Sequence, residues 1–353
     1  MKLLCDLSLE KLGALLKQYG QPSFRAKQLY GHIVAGRELD EMSNLPKGLV
    51  AKLKEDGWRA LGLTIRESYT SEIDGTVKYL YELDDGNIIE GVLMRYKYGN
   101  TLCVSTQVGC AMGCKFCAST LGGLVRNLTA GEILSQVIVV NALNAGKDRR
   151  GVTNVVLMGS GEPLDNYDNV TEFLRLLSDE DGLNVSKRNV SLSTCGLCEK
   201  MIRLADEGFS PVLTVSLHAP FDEIRKTIMP IACRYSVKQV VGAAEYYFEK
   251  TGRRVIFEYS MIRGVNDGED CARELCALLK GFSSHVNIIR LNYVKERGLK
   301  GSDDEAIDKF RKILDNNGVS CSVRRSMGSD IEGACGQLRR KYIQDGEYKQ
   351  NNN

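Results

Sequence analysis

Three cysteines crowd the segment VGCAMGCKFCAST: Cys110, Cys114 and Cys117, spaced C-x3-C-x2-C. Thiolates so close together must converge on a shared partner or be wasted. A structural zinc site wants four ligands in paired knuckles, and no second knuckle of zinc spacing completes this one. Iron–sulfur clusters are held by cysteine thiolates, normally four. Three thiolates would hold three irons and leave the fourth open, and an open metal position marks a site meant for a ligand or substrate.

Other segments carry weaker signals. VVLMGSGEP ends a strand-like run with Gly159, Gly161, Glu162 and Pro163, which alone is a tight strand-to-helix turn. Cys195 and Cys198 form a C-x2-C with no partner pair, and no function is expected of them. The remaining cysteines, among them Cys103 and Cys335, are scattered, as small buried hydrophobes are. Twelve cysteines in 353 residues are too sparse for a disulfide scaffold and are expected to be reduced thiols, metal ligands or catalytic groups.

These residues need elements to position them. LEKLGALLKQYG and FRAKQLYGHIVAG repeat apolar residues at three and four, which predicts a small helical module over 1–60. TVKYLYEL and IIEGVLMR flank the turn Asp84-Asp85-Gly86 and predict a linking β-hairpin over 61–100. Over 101–345 six strand-like runs, TLCVST, NVVLMGS, NVSLSTC, VLTVSLHA, VIFEYSMI and VNIIRLN, alternate with helical stretches. Three of those stretches open on capping-box pairs, Thr129 with Glu132, Ser236 with Gln239 and Ser302 with Glu305. This is an α/β sheet, curled into a partial barrel or open and wound. In both, ligands gather at the C-terminal ends of the strands, where the cysteine loop lies. Residues 346–353 are a polar tail. A hydrophobic fraction of 43% suffices for a packed core, and a net charge of +2 neither demands nor excludes a polyanionic partner. No run approaches a membrane span and no cleavable leader is seen, so the expected location is the cytoplasm.

C-x3-C-x2-C after a first strand, with Phe116 before the last cysteine, resembles the signature of the radical S-adenosylmethionine (SAM) superfamily. The resemblance implies a six-unit (βα)6 partial barrel, which settles the choice left open above. It implies one 4Fe-4S cluster on Cys110, Cys114 and Cys117, whose open iron chelates SAM. It also implies cofactor contacts from Gly161 and Glu162, from Ser193 in SLST, from Ser216, Leu217 and His218 in SLHA, and from Asn292 in RLN.

FRAKQLY, SKRNVSLST, SLHAP, TLCVSTQVGC and SDIEGACGQL extend the likeness over nearly the whole chain, to the RlmN family of ribosomal RNA adenine C2 methyltransferases. The sister family Cfr, which methylates C8, shares both further cysteines, and these motifs do not separate the two. The RlmN resemblance implies a methyl carried by Cys335, release of the RNA adduct by Cys103 through a disulfide, and Glu90 as proton acceptor, with two SAM molecules per turnover. The implied partners are 23S rRNA, an adenosine in the tRNA anticodon loop, and an external electron donor such as flavodoxin or ferredoxin; the implied state is a monomer. Arg324, Arg325, Arg339, Arg340 and Lys341 form a modest cluster suited to phosphates. MGSGE and RLN depart from the commoner MGMGE and Pro-Trp-Asn. A reading of another class, an iron–sulfur protein without turnover, would need neither Cys103 nor Cys335.

Overall fold

The computed structural model describes residues 2–146, 150–294 and 296–331, so Cys335, Arg339, Arg340 and Lys341 lie outside the described residues. The chain opens with α1 (Leu9–Gln18), capped by the Ser8 hydroxyl, then α2 (Phe24–Val34) and α3 (Lys47–Glu55). Leu12, Leu16, Leu29, Leu49 and Leu53 sit on their inner faces and are buried. This module is joined to α4 (Ala130–Asn144): the Cys5 thiol lies 3.4 Å from the Ser135 hydroxyl, which also accepts the Gly62 N–H at 2.9 Å.

One sheet of ten strands follows, each lying beside its neighbour in the chain. Strands β1 (Leu63–Thr70), β2 (Val77–Leu83), β3 (Ile88–Tyr96) and β4 (Gly99–Cys103) form an antiparallel meander. The expected single hairpin is therefore only part of a continuous structure that runs into the main sheet. β1 hid because most of its side chains are exposed and polar, which leaves little apolar period to read. The Asp84-Asp85-Gly86 turn forms as expected, with the Leu83 and Asn87 backbones bonded at 2.9 Å.

Parallel to β4 run β5 (Asn154–Leu157), β6 (Val190–Thr194), β7 (Val212–Ser216), β8 (Val255–Met261), β9 (Ser284–Arg290) and β10 (Cys321–Val323). The crossovers are α4, α5 (Tyr167–Leu177), α6 (Cys198–Asp206), α7 (Asp222–Ile228) with α8 (Val237–Thr251), α9 (Glu269–Leu278) and α10 (Asp304–Asn316). All six expected βα units are present. Capping boxes form at Thr129 and Ser236. Ser302 does not cap: Asp303 accepts the Ala306 N–H at 3.0 Å, and the Ser302 hydroxyl donates to Asp267. The side-chain acceptor one residue nearer the helix takes the role.

Side chains at or just past the C-terminal ends of β4 to β9 line one cavity, as does the segment after β10. Only a curled sheet brings them together, so this is the partial barrel. Its open side is crossed by residues 324–331, a strap. Arg324 N–H donates to the Ile288 carbonyl at 2.8 Å. At the other end Gly328 N–H donates to Asp74 at 2.9 Å, and Asp330 accepts the Ser71 hydroxyl at 2.6 Å and the Glu72 N–H at 2.9 Å. Among the described residues no helix is long and apolar enough to cross a membrane.

Candidate active site

The cysteine loop hangs from a two-stranded ribbon in which Gln107–Gly109 pairs antiparallel with Leu124–Asn127. Gly109 holds φ +81°, and a Cβ there would collide with the Gly123 carbonyl, so only glycine lets the ribbon close under the loop. Cys110 N–H donates to that carbonyl at 2.9 Å. The Thr120 hydroxyl lies 3.1 Å from the Cys114 carbonyl and 3.0 Å from that of Cys117, and the Arg297 guanidinium holds the hydroxyl from outside at 2.8 Å. Cys110 and Cys114 are buried and Cys117 partly so, and all three line a cavity of about 360 Å³.

The strand ends form the wall opposite. Gly161, at φ +111°, lies against Gln107, and a Cβ there would come within 2.7 Å of that side chain. Glu162 is buried, with Oε1 accepting the Leu164 N–H at 3.0 Å and Oε2 the Cys195 N–H at 2.7 Å. Burial pushes its pKa up while these bonds pull it back, with a net rise. Glu162 lines the cavity, so its carboxylate can meet a cation bound there.

His218 is held in the left-handed region, φ +58°, by three bonds. Its N–H donates to the Glu258 carbonyl, its carbonyl accepts from Asn266 at 2.6 Å, and Nδ1 accepts the Ser260 N–H at 3.0 Å. Nε2 therefore carries the ring proton. Burial, helped by the charge of Arg225, lowers the His218 pKa to about 3, so the ring stays neutral, edge-on to Phe116 at 4.7 Å.

Ser193, Ser216 and Asn292 line the cavity as well. Leu217 does not: its side chain is buried in the core, and its carbonyl accepts from Arg225 at 3.1 Å.

Cys103 ends β4, is buried, and lines the same cavity. It packs with Val92 and Met94, beside Tyr96, Met158 and Met327. Glu90 lies two residues before Val92 and thus on the same face of β3. It is buried, with Oε2 3.1 Å from Nζ of the fully buried Lys78, and it is absent from the described cavity lining. Arg324 and Arg325 are at the cavity, Arg324 bonded to Glu258 at 3.3 Å.

Sequence reasoning missed two residues here. Cys195 lines the cavity although its C-x2-C partner Cys198 does not. Arg225, on α7, is fully buried behind the strand ends. No sequence signal marked it, because a charged residue in DEIRKTI reads as a solvated helix face.

The residues fit an iron–sulfur cluster. Burial pushes the Cys110 thiol up to about 12 and that of Cys114 further, with Glu162 and the neighbouring cysteines adding to the rise. Such thiols give up their protons to a metal cation rather than to water. Among the described residues no three His, Cys, Asp or Glu side chains could hold a single ion; a cluster differs in that each thiolate binds its own iron.

A family model described as the Radical SAM superfamily matches residues 104–275, and one described as the Ribosomal RNA large subunit methyltransferase N-terminal domain matches residues 3–57. A probable dual-specificity RNA methyltransferase RlmN of Lachnoclostridium phytofermentans is 52% identical, over 95% of this chain and 94% of its own. One of Clostridium botulinum is 53% identical, over 98% of this chain and 99% of its own. A solved radical SAM methyltransferase from Sphaerobacter thermophilus superposes with a TM-score of 0.91 at 41% identity, covering 96% of this chain and 99% of that one.

Proposed function

Because the chain belongs to the RlmN family of radical SAM RNA methyltransferases, we propose that it methylates carbon 2 of an adenosine in 23S rRNA, and of one in the tRNA anticodon loop, by way of a methylated cysteine. The observation that most supports this is that Cys103 lines the same cavity as Cys110, Cys114 and Cys117. The strap crosses that cavity too, and Cys335 follows four positions after its last described residue, Ile331. The relatives' description as dual-specificity enzymes supports a second RNA.

Carbon 2 of adenine, between two ring nitrogens, is electron-poor, so an electrophilic methyl cannot be handed to it directly. Cys110, Cys114 and Cys117 would hold a cluster whose electron would convert one SAM molecule into a hydrogen-abstracting radical, and a second SAM would supply the methyl. Cys335 takes that methyl as a thioether, the reaction suited to a thiolate nucleophile. Once that carbon has lost a hydrogen atom and bonded to the adenine, the adduct must give up one electron, which an oxidised cluster would take back, and its ring proton, which Glu90 takes, with Lys78 Nζ 3.1 Å away. The Cys103 thiolate then attacks the Cys335 sulfur: the S–S bond forms as the S–C bond breaks, and the electron pair left on carbon takes a proton to complete the methyl group of the released base. Glu162 and the Ser216–His218 turn orient SAM, and an external donor resupplies electrons.

The test pairs mass spectrometry of RNA treated with the reconstituted enzyme with denaturing gels of two variants. The wild type is expected to give 2-methyladenosine. Cys103→Ala is expected to stall as a covalent protein–RNA species destroyed by nuclease, which Cys335→Ala cannot form. 8-Methyladenosine would move the reaction to another carbon, and a crosslink in the Cys335 variant alone would exchange the two roles.

A further inference from the structure

Arg225 is a buried cation with no hydrogen-bonded anion among the described residues. Its side chain is 0% exposed, and all its hydrogen bonds go to main-chain carbonyls. Nε donates to Leu217 at 3.1 Å, and Nη2 donates to Cys195 at 2.7 Å and to Ser216 at 3.3 Å. Nη1 is buried with no partner among the described residues. Asp222, on the same helix, has its carboxylate turned to the Val237 N–H at 2.7 Å. A guanidinium taken out of water needs an opposite charge, because neutral carbonyls alone do not offset its lost hydration.

The missing charge has one place to be. The cysteine loop is fastened to α7: Lys115 N–H, between Cys114 and Phe116, donates to the carbonyl of Ile228 at 2.8 Å. Ile228 lies one turn beyond Arg225 and so on the same helix face. Gly113 backs onto Pro230 just after it, where an added Cβ would lie 3.3 Å from the proline ring. Cys195, whose carbonyl Arg225 grips at 2.7 Å, lines the cavity together with Cys114.

We infer that Arg225 is the buried counter-charge of the iron–sulfur centre, a fixed guanidinium that balances the negative charge of the thiolate-bound cluster and sets how readily it accepts an electron. The inference rests on the reading of Cys110, Cys114 and Cys117 as cluster ligands. The same side chain is a positioning residue: by gripping the carbonyls of Cys195, Ser216 and Leu217 it fixes the ends of β6 and β7, which line the cofactor side of the cavity. A cluster held by three thiolates is anionic, and reduction adds a further negative charge, so a nearby positive charge favours the reduced state. Lysine could supply the charge but not span three carbonyls, since one ammonium is a point donor where a guanidinium is a planar fork.

The experiment is a redox titration of the reconstituted full chain, followed by the electron paramagnetic resonance signal of the reduced cluster, with SAM affinity measured in parallel. In Arg225→Met the reduced-to-oxidised ratio at a fixed potential is expected to fall at least tenfold, a shift of about 59 mV for one electron. Arg225→Lys is expected to recover most of that shift while still binding SAM several-fold more weakly than the wild type. A reduced-to-oxidised ratio in Arg225→Met within twofold of the wild type at that potential, in protein with a full cluster, would overturn the counter-charge role alone. Failure of the wild type to take up four irons would instead overturn the ligand reading on which it rests. Should Arg225→Met load no cluster, thermal melting of the cluster-free chains decides. Without its anion the wild-type guanidinium is a burden that offsets its three carbonyl bonds, so cluster-free Arg225→Met is expected to melt within a few degrees of cluster-free wild type. A much lower melting point would show that Arg225 serves packing only.

Discussion

Each carboxylate oxygen of Glu162 already accepts a backbone N–H, from Leu164 and from Cys195, so the side chain ties the end of β5 to that of β6 before any ligand arrives. Glu162→Gln must turn an NH2 group toward one of those donors, which leaves a buried N–H unpaired at about 1–3 kcal/mol. It also removes the negative charge at the cavity wall. The expected outcome is a lower melting point together with at least tenfold weaker SAM binding, measured by equilibrium dialysis on the cluster-loaded protein. Unchanged affinity in a destabilised variant would leave Glu162 a purely structural tie. At this scale the cysteines were legible because their spacing alone demands a shared partner. Arg225 and Leu217 were not, because the burial of one and the backbone role of the other depend on how α7 packs behind β6 and β7.

The strap has no legible pattern for a different reason. SMGSDI is short and aperiodic, and its partners in the β1–β2 turn stand 254 to 259 positions away. Its carboxylates give it a pH dependence. Burial pushes Asp74 up, but the Gly328 N–H and the Thr76 and Ser71 groups outweigh it and hold the pKa at about 2; Asp330 is lowered chiefly by the Ser71 hydroxyl. In the unfolded chain both would titrate near 3.8. Folded values below unfolded ones stabilise the strap above about pH 4, and that contribution is lost as pH falls through about 2. Hydrogen exchange at the Gly328 and Glu72 amides is therefore expected to rise as pH drops from 4 to 2, after correction for intrinsic rates. Asp74→Asn should produce fast exchange at Gly328 already at neutral pH, and protection unchanged in that variant would refute the anchor. Six of the seven parallel strands, β4 to β9, stood out by contrast as runs rich in apolar residues, whereas the three-residue β10 at the sheet edge did not.

Across the whole molecule the helical module and the barrel share one core. Leu4, Leu12, Leu16 and Leu29 belong to the same contiguous buried cluster as Ile133 and Val137 on α4. The apolar periods of the first helices told that they bury a face, but not that the face closes on an element more than a hundred residues away. Leu29 is 0% exposed, and Leu29→Ala is expected to cost about 2–5 kcal/mol. If the core is shared, hydrogen exchange in α4 should speed up along with that in α2; an effect confined to residues 2–57 would make the module an independent unit.

The route of the strap also has a meaning in time. A polypeptide is made from its first residue to its last, so the cysteine loop, the strand ends and the Ser71–Thr76 turn all exist before residues 324–331 are synthesised. Contacts spanning such sequence distances close late in folding, since the loop entropy must be overcome before they give any stability. The cavity is therefore the last part of the barrel to be covered, closed by contacts that form only after every other wall is in place.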